Sequence, residues 1–333
     1  MSRRDPAAGN RDAEEGPGDD GEQDGERAVR TDGSGDVGAS RLGRFAADLR
    51  ARPRRVGLYL VLIGLVGFYL APLETGLMTA FKTQSAFTET SPFTPPPFGG
   101  LTIDPWLTAW NRLAYALANS ALFAIPATIA SATLGSLTAY GLTHIRWRGQ
   151  VVVMALFLAG VFIPYQAVLV PLTQLWGFID LTSLLAPLPI VANYVDLIEL
   201  MITHTAYGIP ICTVLFRSYY QSFNEDMLEA ARLDGASVFG VYRRIVLPLS
   251  KPMFAVAFIF QFTQVWNDLL FALVLITTPS NGVVTVALNQ LSGSFVQQYN
   301  LQMAGAFLAA LPTLLVYILF TEQFAEGVAG RTT

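Results

Sequence analysis

Charge is what this 333-residue sequence has least of. Only 14% of its residues are Asp, Glu, Lys or Arg, while 52% are hydrophobic. An average soluble domain carries roughly 25% charged residues. Lysine is almost missing: Lys82 and Lys251 stand against 19 arginines. The single cysteine, Cys212, excludes an internal disulfide framework and any multi-cysteine metal site. The two histidines, His144 and His204, lie too far apart in sequence to form a helical metal pair. Neither lysine sits in a GxxxxGK setting, so the chain has no Walker A loop of its own. No nucleophile–base pairing stands out either, and no catalysis is expected within this polypeptide.

The charges that are present fall into three zones. Residues 1–40 hold 5 Arg and 11 Asp or Glu, residues 41–55 hold 6 Arg and one Asp, and the remaining 278 residues hold only 23 charges. A soluble fold of that size could not cover its surface with so few. Residues 1–40, rich in Gly, Asp and Glu and poor in large apolar side chains, are expected to be a disordered acidic tail. Residues 41–55 read as a basic juxtamembrane segment, and residues 56–333 as a membrane domain with its core at 114–325.

An apolar run from residue 56 to 80 is long enough, at ~1.5 Å per residue, to cross a ~30 Å hydrocarbon layer. It begins too late and runs too long for a cleaved signal peptide. Five more spans are predicted near 114–142, 150–172, 197–219, 252–276 and 302–323, with Pro164 and Pro171 as kinks in the third. The basic residues test this order. If the N-terminus is cytoplasmic, 19 of the 21 Lys and Arg fall inside, and only Lys82 and Arg112 fall outside. Both termini are therefore expected in the cytoplasm. The apolar stretch 181–195 is short and carries Pro187 and Pro189. Were it to span, the Arg-rich gap 217–251 would move outside, so it is expected to be re-entrant or interfacial.

That Arg-rich gap carries the most information. Residues 222–252 read SFNEDMLEAARLDGASVFGVYRRIVLPLSKP. Asn224 is a good N-cap, followed by Glu225 and Asp226 at the positive end of the helix dipole. Met227, Leu228, Ala231 and Leu233 supply apolar positions. Gly235 stands where a helix would end, because glycine accepts a left-handed backbone. Ser237 is placed to cap a second short helix through Ile245, which Pro248 is expected to stop. The spacing thus predicts helix, glycine turn, helix.

Glu229-Ala230-Ala231, Gly235 and Ile245-x-Leu247-Pro248 at these intervals resemble the coupling-helix signature of ABC importer permeases. Gln264-Val265-Trp266-Asn267-Asp268 and the Ala/Leu-rich last span are similar to the shorter permease of the maltose type, over about residues 56–333. Residues 1–40 and 181–196 have no counterpart in that pattern. The resemblance implies an all-α integral membrane protein with six transmembrane helices and a cytoplasmic coupling-helix loop, the type I importer or MetI-like permease fold. It implies a multi-pass subunit of the cell membrane that carries half of a sugar pathway. Its partners would be a second homologous permease, two ABC ATPases and an extracytoplasmic solute-binding protein. ATP and Mg²⁺ would be bound by the ATPases, and the chain itself needs no cofactor or metal. Glu229 would be the polar contact to the ATPase. Ala230 and Gly235 would permit close approach, Ala231 would belong to the same docking loop, and Ile245, Leu247 and Pro248 would set the return into the membrane. The outer loop 277–301 would reach toward the binding protein.

Independently of that resemblance, Gln261, Gln264 and Asp268 are spaced three and four apart, with Asn267 beside them. Polar groups inside a bilayer usually face a bundle interior or an aqueous cavity. This set is a candidate translocation pathway, or else a site of helix–helix hydrogen bonding. A secondary carrier would show inverted repeats and intramembrane charge pairs, which are not evident. A permease for another solute, such as a glycerol phosphate, is disfavoured by the lack of basic residues in the spans. A helix-turn-helix DNA reader would need a free basic helix, whereas 238–245 is mostly apolar. No nucleic-acid partner is expected.

Overall fold

The computed structural model describes residues 53–145, 147–291 and 298–324. The acidic tail and almost all of the basic segment lie outside the described residues. The chain forms two units, residues 1–67 and residues 68–333. The described part of the first unit is the opening of helix α1 (Pro53–Ala80).

Helix α1 is apolar on every side. Leu60, Ile63, Phe68 and Tyr69 are all exposed, as suits a helix whose solvent is hydrocarbon. After it, Thr83 caps the short helix α2 (Gln84–Glu89) by accepting from the Ala86 amide. The Lys82 ammonium is buried and donates to the Ser91 carbonyl at 2.8 Å.

Helix α3 (Asp104–His144) is the spine of the second unit. It starts ten residues earlier than the predicted span, because Pro105 suits a first helical turn and nothing after it breaks the helix. At ~1.5 Å per residue its 41 residues reach ~60 Å, well beyond a hydrocarbon layer. A stripe of small residues, Ala124, Thr128, Ser131, Gly135 and Ala139, lies buried along one side at intervals of three and four. Helix α8 (Val195–Tyr220) packs against this stripe. A Cβ on Gly135 would come within 2.4 Å of the Cys212 Cβ and 3.0 Å of helix α8's backbone. Small side chains let membrane helices approach in this way, where hydrophobic burial offers little drive.

The predicted third span is broken. Helices α4 (Gln150–Val161) and α5 (Tyr165–Ile179) meet at a bend of 104°. Pro164, which has no amide hydrogen, sits at the break, while helix α5 runs on through Pro171. Residues 181–195 hold helices α6 (Leu181–Leu185) and α7 (Pro189–Ala192), both far too short to cross a bilayer. Asp180 precedes them with φ 45° and caps α6 by accepting from the Ser183 amide. The Ser183 hydroxyl, and then that amide, hold the Asp180 carboxyl below the usual carboxylate range.

The remaining elements are α9 (Glu225–Leu233), α10 (Val238–Leu249), α11 (Lys251–Trp266), α12 (Leu270–Leu275), α13 (Val284–Leu291) and α14 (Tyr299–Leu319). The fifth predicted span is not one helix to residue 276. It ends at Trp266, and Asn267 closes it by donating from Nδ2 to the Thr263 carbonyl at 2.9 Å. Among the described residues four helices are long and apolar enough to span, or six if each of two bent pairs counts as one span. This is the all-helical membrane architecture that the sequence predicts.

Candidate functional site

The loop between α8 and α11 folds as helix, turn, helix, and each local signal has its partner. The Asn224 side chain accepts from the Asp226 amide at 2.8 Å, starting α9. Gly235 adopts φ +86°. The Ala236 amide then bonds the Ala231 carbonyl at 3.0 Å and the Gly235 amide bonds that of Arg232 at 3.0 Å. These are the two hydrogen bonds of a Schellman cap. Ser237 accepts from the Gly240 amide at 3.1 Å and starts α10.

Pro248 does not stop that second helix. Helix α10 widens into a π-turn over Tyr242–Val246 and continues through Leu249. The Leu247 amide bonds the Tyr242 carbonyl, one residue further back than in an α-helix. The wider turn gives room for the proline ring, which would otherwise meet the carbonyl four residues before it. The helix ends instead at Ser250, and α11 leaves at a bend of 75°.

One side of this hairpin is buried. Leu228, Val241, Tyr242 and Val246 pack with Phe216, Tyr220 and Ala139 in a single apolar cluster. Polar bonds reinforce it. The Ser136 hydroxyl on α3 lies 2.6 Å from the Tyr220 hydroxyl on α8 and 2.9 Å from the Tyr242 hydroxyl on α10. Tyr140 donates to the Val238 carbonyl at 3.0 Å, and Arg232 to the His144 carbonyl at 3.1 Å. The hairpin is therefore tied to the ends of two long helices.

The other side is open. Glu229, Ala230, Gly235 and Pro248 are exposed, while Ala231, Ile245 and Leu247 are half-buried. Leu233 is 82% exposed and Phe239 63%. Leu233, an apolar position of the same helix as the buried Leu228, lies five residues further on and so is turned ~140° away from it. Glu229, Arg232 and Leu233 edge a cleft of ≈ 630 Å³ shared with Thr143 and His144. An acidic side chain and bare apolar groups round a glycine turn form a surface suited to another protein. Helical periodicity carries the signal that the apolar Leu233 faces outward, whereas nothing in the composition of the loop singles out Phe239. The Ser136–Tyr220–Tyr242 cluster joins three distant segments, and no local pattern announces it.

The four polar residues of the fifth span do not share one environment. Gln261 and Asp268 are buried, whereas Gln264 and Asn267 are exposed. Helix α11 stops before Asn267, so the spacing rule no longer governs residues 267 and 268. Gln261 lies at the crossing of α3, α8 and α11. Its Nε2 is 2.2 Å from where a Gly208 Cβ would stand, and Ser131 Oγ is 2.5 Å from the same point. Asp268 sits in the break and accepts from the Phe271 amide at 3.1 Å, capping α12. Its Oδ2 is also 3.3 Å from His204 Nε2, although the two are not aligned as a hydrogen bond. Among the described residues no group of His, Cys, Asp or Glu is arranged to hold a metal.

Residues 131–325 match the family of binding-protein-dependent transport system inner membrane components. The chain is 47% identical over 284 residues to a xylose/arabinose import permease protein of Haloferax volcanii, covering 83% of this chain and 92% of that one. An arabinooligosaccharides transport system permease protein of Bacillus subtilis is 24% identical, covering 82% of this chain and 94% of its own. Among solved structures, a bacterial ABC transporter that imports the acidic polysaccharide alginate shares the fold. Its TM-score is 0.63 at 18% identity, over 83% of this chain and 98% of that one.

Proposed function

The chain belongs to the family of inner membrane components of binding-protein-dependent transport systems, and from that premise we propose how it works as the permease subunit of an ATP-driven sugar importer. The observation that carries the reading is the hairpin 222–252. Its signature residues present Glu229 and Gly235 outward while Leu228, Val241 and Tyr242 lock it to α3 and α8. The sugar follows from the relatives, whose names specify xylose, arabinose and arabinooligosaccharides.

The partners are a second, homologous permease, two ATPases and an external solute-binding protein. The open side of the hairpin docks in a cleft of an ATPase. Glu229 makes the polar contact there, Leu233 and Phe239 the apolar ones, and Ala230, Ala231 and Gly235 keep the approach close. Ile245, Leu247 and Pro248 shape the return into α11. ATP and Mg²⁺ are held by the ATPases, and this chain performs no chemistry on them. When the ATPases close, they draw the hairpin with them. The tyrosine–serine cluster passes the movement to α3 and α8, so that the cavity between the permeases turns outward and receives sugar from the binding protein. Gln264 and Asn267, exposed on this chain, contribute amides to that cavity. Gln261 and Asp268 hold the helices that frame it. Both termini lie in the cytoplasm, with residues 1–40 as an acidic tail and 41–55 as a basic collar at the membrane.

Co-purification tests the docking. Tagged wild-type chain should retain the ATPase through detergent extraction. Glu229→Arg together with Leu233→Glu should lose at least nine-tenths of it while still inserting in the membrane. Full retention by the double variant would exclude this surface as the dock.

A further inference from the structure

A second surface feature adjoins the end of the hairpin, where Leu247 helps to line it. Beside the bend between α10 and α11 is a groove of ≈ 390 Å³. Most of its walls are apolar and come from Phe254 and Phe258 on α11 and Phe320 just after α14. The rings of Phe258 and Phe320 meet with centroids 5.4 Å apart. Among the described residues that line it, the one basic group is Lys251, the first residue of α11. Lys251 is exposed and has no hydrogen-bond or ion-pair partner among the described residues. Arg243 and Arg244, eight and seven residues before it, are exposed and unpaired among the described residues in the same way.

This combination has a natural occupant. The groove adjoins the ends of two membrane helices, so its surroundings are lipid rather than bulk water. Phenyl walls suit an acyl chain. An unpaired ammonium at the mouth of an apolar slot suits the phosphate of a lipid with net negative charge, and basic residues at the cytoplasmic edge of membrane helices attract such lipids. A zwitterionic lipid supplies the same chain without the net charge. We propose that this groove holds an anionic phospholipid, with an acyl chain along Phe254, Phe258 and Phe320 and the phosphate on Lys251. Arg243 and Arg244 add to the local positive field.

Native mass spectrometry of the purified importer, extracted in phosphatidylglycerol and phosphatidylcholine at equal amounts, tests this. Wild type should retain one phosphatidylglycerol per copy of this chain in preference to phosphatidylcholine. Lys251→Gln removes one charge near the surface and should lower that retention about fivefold. Lys251→Arg should keep it, and Phe258→Gln should lower retention of both lipids. Equal retention of the two lipids by wild type, or unchanged retention in Lys251→Gln, would overturn the proposal. So would a chain ending at Phe324 that binds phosphatidylglycerol where the full chain does not, since residues 325–333 would then be the occupant.

Discussion

The hydroxyl of Ser136, in the C-terminal quarter of helix α3, stands 2.9 Å from that of Tyr242 in the hairpin 222–252. Both side chains are buried, and the same serine reaches Tyr220 at 2.6 Å. A hydrogen bond in such a setting contributes about 1 kcal/mol, and a buried group left without its partner costs about 1–3 kcal/mol. Ser136→Ala leaves two tyrosyl hydroxyls without this partner. The variant should assemble with its ATPase but transport less sugar per ATP hydrolysed, by threefold or more. An unchanged ratio of uptake to hydrolysis would show that the cluster carries no movement.

Within this chain Gly235 needs only its left-handed backbone. A Cβ there meets no atom of the chain within 4 Å, so a substitution acts on the hairpin itself through φ +86°. That conformation costs an ordinary residue roughly 1–2 kcal/mol, and a β-branched one more, while asparagine tolerates it. Gly235→Val should strip the ATPase from the complex without preventing membrane insertion, and Gly235→Asn should keep most of it. Co-purification ratios decide the matter. Equal loss in both variants would point to steric blockage rather than backbone strain.

Two glycines on α3 should behave oppositely. At Gly135 a methyl group would collide with helix α8, whereas at Gly141 it would meet nothing within 4 Å. Gly135→Ala should cost roughly 1–3 kcal/mol by overpacking, and Gly141→Ala should gain about 0.5–1 kcal/mol through helix propensity. Thermal unfolding of the two variants in one detergent should move in opposite directions. A parallel shift would contradict the close α3–α8 approach.

Asp268 holds the start of α12 through the Phe271 amide and lies beside His204. Asparagine keeps an oxygen for the cap, whereas alanine removes it at a cost of about 1 kcal/mol. Asp268→Ala should therefore lower thermal stability and uptake together, and Asp268→Asn should retain more of both. Gln264→Leu, on the exposed side, should spare stability and raise the sugar concentration needed for half-maximal uptake. The same loss of stability in Gln264→Leu would place that residue in the frame rather than the pathway.

Much of this architecture is legible in the residues. The hairpin follows from Asn224, Gly235 and Ser237, since each signal acts within four residues of itself. The spans follow from runs without charge. The sequence falls short where a helix breaks. Pro164 turns a predicted kink into a bend of 104°, while Pro171 and Pro248 interrupt nothing. Proline type alone does not distinguish these cases, because the outcome depends on whether a neighbouring turn can widen. The end of α11 at Trp266 was equally hidden, for it rests on Asn267 and Asp268 bonding backbone groups at either side of the gap. Exposure was the other blind spot. Gln261 and Gln264 are the same residue type one turn apart, and only the crossing with Gly208 and Ser131 buries the first.

The most direct test of the whole account is sugar uptake into proteoliposomes containing this chain, its partner permease and ATPases, with the binding protein outside and ATP within. Uptake should require both ATP and the binding protein, and should persist when ionophores collapse the proton and sodium gradients. Accumulation by this chain without ATP, abolished by the same ionophores, would contradict the account and mark a self-sufficient carrier instead.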